Sequence, residues 1–272
     1  MDFSALFRYE INSAERIGAG GCGELWSGKD RLLDEQIALK TIRDELATSP
    51  RAVRSFEMEA IAAARLARES PYIVPVRDFG RVGDWYYLVM EWVPPDVDGR
   101  PDISSLAGRC SLGRARQILL QVANAVDKAH KRGIVHSDIS PWNIMYKPSS
   151  DRYMLSDFGL LRVVYKDLLS VPSRTVLSGG RTAFLPPYAR NDFEQISPAS
   201  DVYALAITFW YLLSGEQVLR HKEAVPGAVR IDVAQRDAPS QVRQLLVRFV
   251  EEHGRDDSVE EFVEMLQRVP AG

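Results

Sequence analysis

The 272-residue sequence predicts an α+β fold, with a small strand-rich part carrying one main helix and a larger, mostly helical part. Two patterns predict it. In the first third, apolar and polar residues alternate through Ile37, Ala38, Leu39 and Lys40 and again through Tyr86 to Val93, with turn residues at Gly28 to Asp30 and Gly80 to Gly83. Later the spacing becomes helical: Ile118, Leu119, Val122, Ala125, Val126 and Ala129 form one apolar stripe that stops at Gly133.

Within the first part, Pro50 to Arg68 has helical spacing, with Phe56, Ala60, Ala63, Ala64 and Ala67 on one side and Glu57, Arg65 and Arg68 among the polar positions. Pro94 to Gly108 is rich in Pro, Asp and Gly, and its 94–102 portion marks a boundary between the two parts. The longest apolar run, Val202 to Leu213, is shorter than the roughly 20 residues that cross a bilayer and reads as a buried helix. A Gly- and Pro-containing stretch at 226–239 and amphipathic segments at Gln241 to Glu252 and Ser258 to Val269 complete the chain, with no internal repeat.

With 46% hydrophobic and 26% charged residues, the chain can bury a full core. Its 34 Lys and Arg against 37 Asp and Glu leave a formal charge of −3, so no basic surplus draws it to nucleic acid or anionic membranes. Cys22 and Cys110 stand alone, with no C-x-x-C, which argues against a disulfide scaffold and for a reduced, cytoplasmic setting. The segment MDFSALFRYE has no apolar core of a secretory signal. His130, His221 and His253 lack metal-ligand spacing and read as ordinary surface or helix residues.

Chemistry first appears at Gly18-Ala-Gly20-Gly-Cys-Gly23-Glu-Leu25, where glycines let backbone N–H groups approach phosphate oxygens. Such a run can open a dinucleotide-binding helix, yet Glu24, Leu25 and Trp26 continue as a strand, which favours a strand-turn-strand flap. A plain glycine-rich hairpin fits the same residues. Next, period 2 places Ala38 and Lys40 on one face. Ala38 leaves room for a flat ring, and Lys40 can neutralise phosphate if a carboxylate holds it, for which Glu59 is the candidate. Taken singly, the same two residues are a solvated strand-end lysine and a surface glutamate. Cys22, with no cation nearby, reads as a small unreactive side chain.

Ile134-Val-His136-Ser137-Asp138-Ile-Ser140-Pro-Trp-Asn143-Ile-Met145 is followed by Met154-Leu-Ser-Asp157-Phe158-Gly159. With these the chain resembles the eukaryotic-type protein kinases, in the form of the bacterial Ser/Thr kinases. Glycine flap, strand lysine, helix glutamate, catalytic loop and metal-binding loop occur in order. The resemblance implies one kinase domain over 1–272, with a small lobe at about 9–93, a hinge near 91–95 and a large lobe at about 96–270. ATP and Mg²⁺ would lie in the cleft and a protein Ser or Thr hydroxyl would be the acceptor, with neither nucleic acid nor a membrane segment involved.

By the same resemblance, Gly18, Gly20 and Gly23 would cover the phosphates, and Lys40 would hold them while pairing with Glu59. Asp138 would orient the acceptor hydroxyl, and Asn143 and Asp157 would hold the metal. Glu91 and Val93 would read the adenine edge behind the gatekeeper Met90, with Leu25, Ala38 and Met145 around the ring. His136 would be structural. Gly180 to Tyr188 would position the acceptor, with Thr182 near Asp138, and Arg255 would precede the last helix.

Three positions depart from the family pattern. Ser137 replaces the arginine before the aspartate, Ser140 replaces the lysine that touches the transferred phosphoryl group, and Tyr188 replaces the glutamate that pairs with the later arginine. They keep two other readings open: a nucleotide-binding scaffold with a regulatory protein partner and little turnover, and a kinase of small molecules.

Overall fold

The structure, a computed structural model, describes residues 6–19, 23–42, 44–96, 99–158, 181–190, 192–215 and 238–271. Gly20, Cys22, Gly159, Gly180, His221 and the 226–237 stretch named above lie outside the described residues.

Five antiparallel strands form the first sheet: β1 (Tyr9–Ala19), β2 (Gly23–Asp30), β3 (Glu35–Ile42), β4 (Val76–Val82) and β5 (Trp85–Glu91), in the order β1-β2-β3-β5-β4. The turn expected at Gly28 to Asp30 falls instead at Arg31–Asp34, where Asp30 Oδ1 accepts from the Leu32 amide at 2.9 Å. Gly28 sits inside β2 for a packing reason, since a Cβ there would stand 2.6 Å from Ile11 Cδ1 and 2.8 Å from the Glu10 carbonyl oxygen.

After the single helical turn α1 (Asp44–Ala47), α2 (Pro50–Leu66) begins with Ser49 accepting from the Ala52 amide at 3.2 Å and Pro50 in the first turn. It buries Ala52, Phe56 and Ala60 against Ala38, Ile42 and Leu88 of the sheet, with the Phe56 and Phe79 rings 5.8 Å apart. Glu59 is carried to the same buried face. Packing on this face therefore fixes how close Glu59 comes to β3.

The second part is built on α3 (Leu112–His130) and α4 (Pro198–Ser214), joined by α5 (Ser240–Leu246), a π-helical turn at Val247–Glu251, and α6 (Val259–Arg268). Helix α3 ends at His130, and Gly133 beyond it takes φ 70°, the left-handed conformation of a helix stop. Helix α4 is buried without interruption from Ala199 to Leu212, which places it at the centre of the core with Leu119, Val122, Phe249 and Phe262. Between the Asn143 and Asp157 motifs, β6 (Ile144–Lys147) and β7 (Arg152–Leu155) pair as a hairpin.

The two parts meet through β5, which leads into the 92–102 connection, and through the segment before β4. There the Val74 amide donates to Leu155 O at 3.0 Å and the Leu155 amide to Tyr72 O at 2.9 Å. Strand β7 therefore docks directly onto the chain that enters the first sheet, and the residue two positions after β7 is delivered to the cleft.

Candidate active site

Lys40 projects from β3 with only 9% of its side chain exposed. Its Nζ lies 3.0 Å from Glu59 Oε1 on α2 and 2.7 Å from Asp157 Oδ1 beyond β7. One ammonium thus bridges two carboxylates from separate elements. Burial pushes the Glu59 carboxyl above its ordinary value; the Lys40 ammonium opposes that rise and the Asp157 charge adds to it. Oε2 of Glu59 is buried with no hydrogen-bond partner among the described residues, so Lys40 is the group that holds this acid.

A second cluster centres on Asp138. Asn143 Nδ2 donates to Asp138 O at 2.7 Å and to Asp138 Oδ2 at 2.8 Å, which fixes the carboxylate's orientation. The clusters are tied through Ser156, whose amide donates to Asn143 O at 2.9 Å immediately before Asp157. Lys40, Glu59, Asp138, Asn143 and Asp157 are therefore brought together by short links.

The loop carrying Asp138 is braced from below. Asp201, in the first turn of α4, is 1% exposed; Oδ2 accepts from the His136 amide and Oδ1 from the Ser137 amide, each at 2.8 Å. These bonds hold Ser137 at φ 73°, a conformation uncommon for a residue with a side chain. His130 Nε2 reaches the same Asp201 oxygen at 2.8 Å, so it braces the loop and is no ordinary surface residue. His136 Nδ1 accepts from the Asp138 amide at 3.2 Å, which leaves the proton on Nε2 to donate to Ser156 O at 2.8 Å. With its ring 4.7 Å from that of Phe158, His136 is fully enclosed by structural contacts.

Leu25, Ala38, Met90, Val93 and Met145 all belong to one apolar cluster, with Ala38 opposite Met90 in the β3–β5 register. Its character suits a flat ring with two apolar faces. The Glu91 amide donates to Pro75 O at 2.9 Å, and its carboxylate pairs with Lys147 and, at 3.9 Å, with Arg77. In the flap, Gly18 lies opposite Leu25 across β1 and β2. Gly23 has a structural reason of its own, because a Cβ there would collide with the Thr41 carbonyl oxygen.

At the departures, Ser137 is 5% exposed and Ser140 0%. Ser140 Oγ has no hydrogen-bond partner among the described residues. A buried hydroxyl here is a poor stand-in for a cation reaching a phosphoryl group. Arg255 is exposed; Nη2 donates to Gln195 Oε1 at 2.6 Å and the guanidinium sits 5.3 Å from the Tyr188 ring centroid. His253, expected to be ordinary, has a side chain only 4% exposed and contacts both Tyr188 and Asp257. Asp257 is only four positions on, but the contact with Tyr188, 65 positions away, leaves no mark in the sequence.

Residues 11–268 match the family described as protein kinase domain, and the chain belongs to that family. Among curated relatives it is 33% identical over 208 residues to the serine/threonine-protein kinase PknA of Mycobacterium tuberculosis, covering 74% of this chain and 46% of that protein. It is also 27% identical over 274 residues to a probable serine/threonine-protein kinase of Clostridium acetobutylicum, covering 96% of this chain and 40% of the relative. The chain thus spans less than half the length of these relatives. Among solved structures, the M. tuberculosis PknI kinase domain shares the fold, with a TM-score of 0.69 at 24% identity over 96% of this chain and 95% of that one. Among the described residues, no helix is long and apolar enough to cross a membrane.

Proposed function

We propose that the domain transfers the γ-phosphoryl group of ATP to a Ser or Thr hydroxyl of a protein. The observation that carries this reading is Lys40 held between Glu59 and Asp157. A bare buried ammonium would be costly, and two acids position it where phosphate oxygens of ATP would enter. Asp157 keeps 33% of its side chain exposed while Oδ1 engages Lys40. When a nucleotide binds, its phosphates would share Lys40 while Glu59 keeps the ammonium in place. The flap at Gly18 to Leu25 would cover the phosphates, and the cluster of Leu25, Ala38, Met90, Val93 and Met145 would take the adenine.

Asp157 and Asn143 offer hard oxygen donors, the type Mg²⁺ prefers, and Asn143 commits its Nδ2 to Asp138, which leaves Oδ1 as its donor toward a cation. Bound there, Mg²⁺ would supply charge neutralisation on the phosphates. Asp138, oriented by Asn143, would accept the proton of the acceptor hydroxyl as its oxygen attacks. The segment 181–190 would align that acceptor.

The burial of Ser140, where the family places a cation, favours a second reading: a scaffold that binds nucleotide and a partner protein with little turnover. Transfer of label from γ-labelled ATP to casein by the wild-type chain and by Asp138→Asn separates the two. The kinase reading expects transfer by the wild type and loss of about a thousandfold in the variant, with nucleotide-induced thermal stabilisation retained in both. Stabilisation without any transfer, including to the chain itself, would select the scaffold.

A further inference from the structure

The acceptor-aligning segment has an anchor that the catalytic cluster does not use. Residues 181–190 include two short turns, Arg181–Phe184 and Pro187–Ala189, and Ala183, Phe184, Leu185 and Ala189 of this segment are buried. Tyr188 stands between these apolar contacts and the approach to α6. Its hydroxyl lies 3.1 Å from His253 Nε2 and 3.4 Å from Ser200 Oγ, and its ring is nearly parallel to that of His253, at 9° with centroids 5.7 Å apart. Tyr203 of the central helix meets His253 edge-on at 5.2 Å.

His253 is held from its other side. Nδ1 lies 2.7 Å from Asp257 Oδ2, a close but poorly aligned contact, and a lone pair facing that carboxylate would be repelled, so Nδ1 carries the proton. Nε2 is then the acceptor for the Tyr188 O–H. Asp257 is itself fixed: Oδ1 receives Arg248 Nη1 at 2.7 Å and Oδ2 the Gly254 amide at 3.0 Å. Burial lowers the pKa of His253 below its ordinary value, with Asp257 opposing, which keeps the ring neutral. A chain of contacts therefore runs from the start of α6 through Asp257 and His253 to Tyr188. It links elements where the resemblance leads one to expect a direct ion pair, while Arg255 is occupied by Gln195 and the Tyr188 ring.

We propose that His253 is a positioning residue for the protein acceptor: held by Asp257, it fixes Tyr188 and through it the segment that presents the hydroxyl to Asp138. The inference rests on the reading that 181–190 takes the acceptor. A positioning role at this place acts on acceptor binding and leaves nucleotide binding alone.

The test measures kcat and the separate KM values for casein and ATP in the full chain, for the wild type, His253→Ala, His253→Gln and Tyr188→Phe. Tyr188→Phe keeps the stacked ring and removes the hydroxyl's contacts with His253 and Ser200, so the casein KM should rise by about fivefold. His253→Ala should raise it further, and His253→Gln, whose amide oxygen can accept from Tyr188, should restore much of the loss. KM for ATP should stay within about twofold throughout, as expected when the lost bond lies outside the nucleotide site. Tyr188→Phe indistinguishable from the wild type, or equal rises in both KM values, would overturn the inference even if His253→Ala fails to fold. A wild type that transfers nothing would overturn the underlying reading as well, and is told apart from failure of the inference alone because then no arm carries label.

Discussion

The two sides of the cleft are held in place by different physics. On the nucleotide side, Lys40, Glu59 and Asp157 form an ionic centre with contacts of 3.0 and 2.7 Å. On the side proposed to take the acceptor, Tyr188, His253 and Tyr203 form an aromatic cluster with one neutral hydrogen bond of 3.1 Å. The contrast fits what each side is proposed to bind. A triphosphate demands fixed positive charge in a site shielded from water, so its cation and the acids that hold it are constrained in kind. Presenting a hydroxyl demands only that a segment stay where it is, and stacking with a satisfied hydrogen bond achieves this without burying a full ion pair.

The largest expected effect breaks the ionic side. Lys40→Met should lower label transfer by roughly two to three decades, because a transition-state cation is lost while the surrounding acids stay in place. Glu59→Gln should cost less, about tenfold to a hundredfold, since Lys40 keeps Asp157 but loses its charged partner on α2. Steady-state transfer rates at saturating ATP order the two; a Glu59→Gln loss exceeding that of Lys40→Met would contradict the assignment of roles.

On the aromatic side the expected effects are smaller and depend on pH. The folded-state pKa of His253 is lowered, so the unfolded chain binds the proton more readily. Its contribution to stability is present above the ordinary value of 6.5 and is lost as pH falls from there through the lowered folded value. The melting temperature of the wild type should therefore drop more steeply below pH 6.5 than that of His253→Gln, in parallel thermal melts. Parallel curves for the two proteins would remove His253 as a source of acid sensitivity.

The departures sharpen the comparison further. Ser137 supplies no cation to a phosphorylated residue, so replacing Ser170, Ser173, Thr175 and Ser178 together by alanine should leave most of the transfer activity. A radiolabel assay showing most activity gone would contradict that expectation. The smallest effect belongs to Ser140→Ala: removing a buried hydroxyl without a partner should be neutral or stabilising by about 1 kcal/mol in denaturant melts, with little change in rate.

How much of this could be read in the sequence depended on whether the cause was local. Period-2 alternation in β3 and β5 and the helical stripe of α3 reflect neighbours a few residues away, and their positions follow the sequence closely. Gly28 misled because a glycine needed for close strand packing looks the same in sequence as one needed for a turn. Lys40 taken by itself is as much a solvated lysine as a phosphate ligand; the resemblance puts it in one site with Asp157, 117 positions away, but not in direct contact with it. His130 and His253 escaped because their partners, Asp201 and Tyr188, are 71 and 65 positions distant and neither pairing belongs to a spacing pattern. Long-range polar contacts leave no periodic trace, whereas core packing does.

The central claim is that Lys40 acts on a bound nucleotide's phosphates from its seat between Glu59 and Asp157. Isothermal titration of ATP with Mg²⁺, and of adenosine, into the wild type and Lys40→Met tests it most directly. The variant should bind adenosine as the wild type does and lose most of the additional affinity that the phosphates confer. Equal gains from the phosphates in both proteins would contradict it.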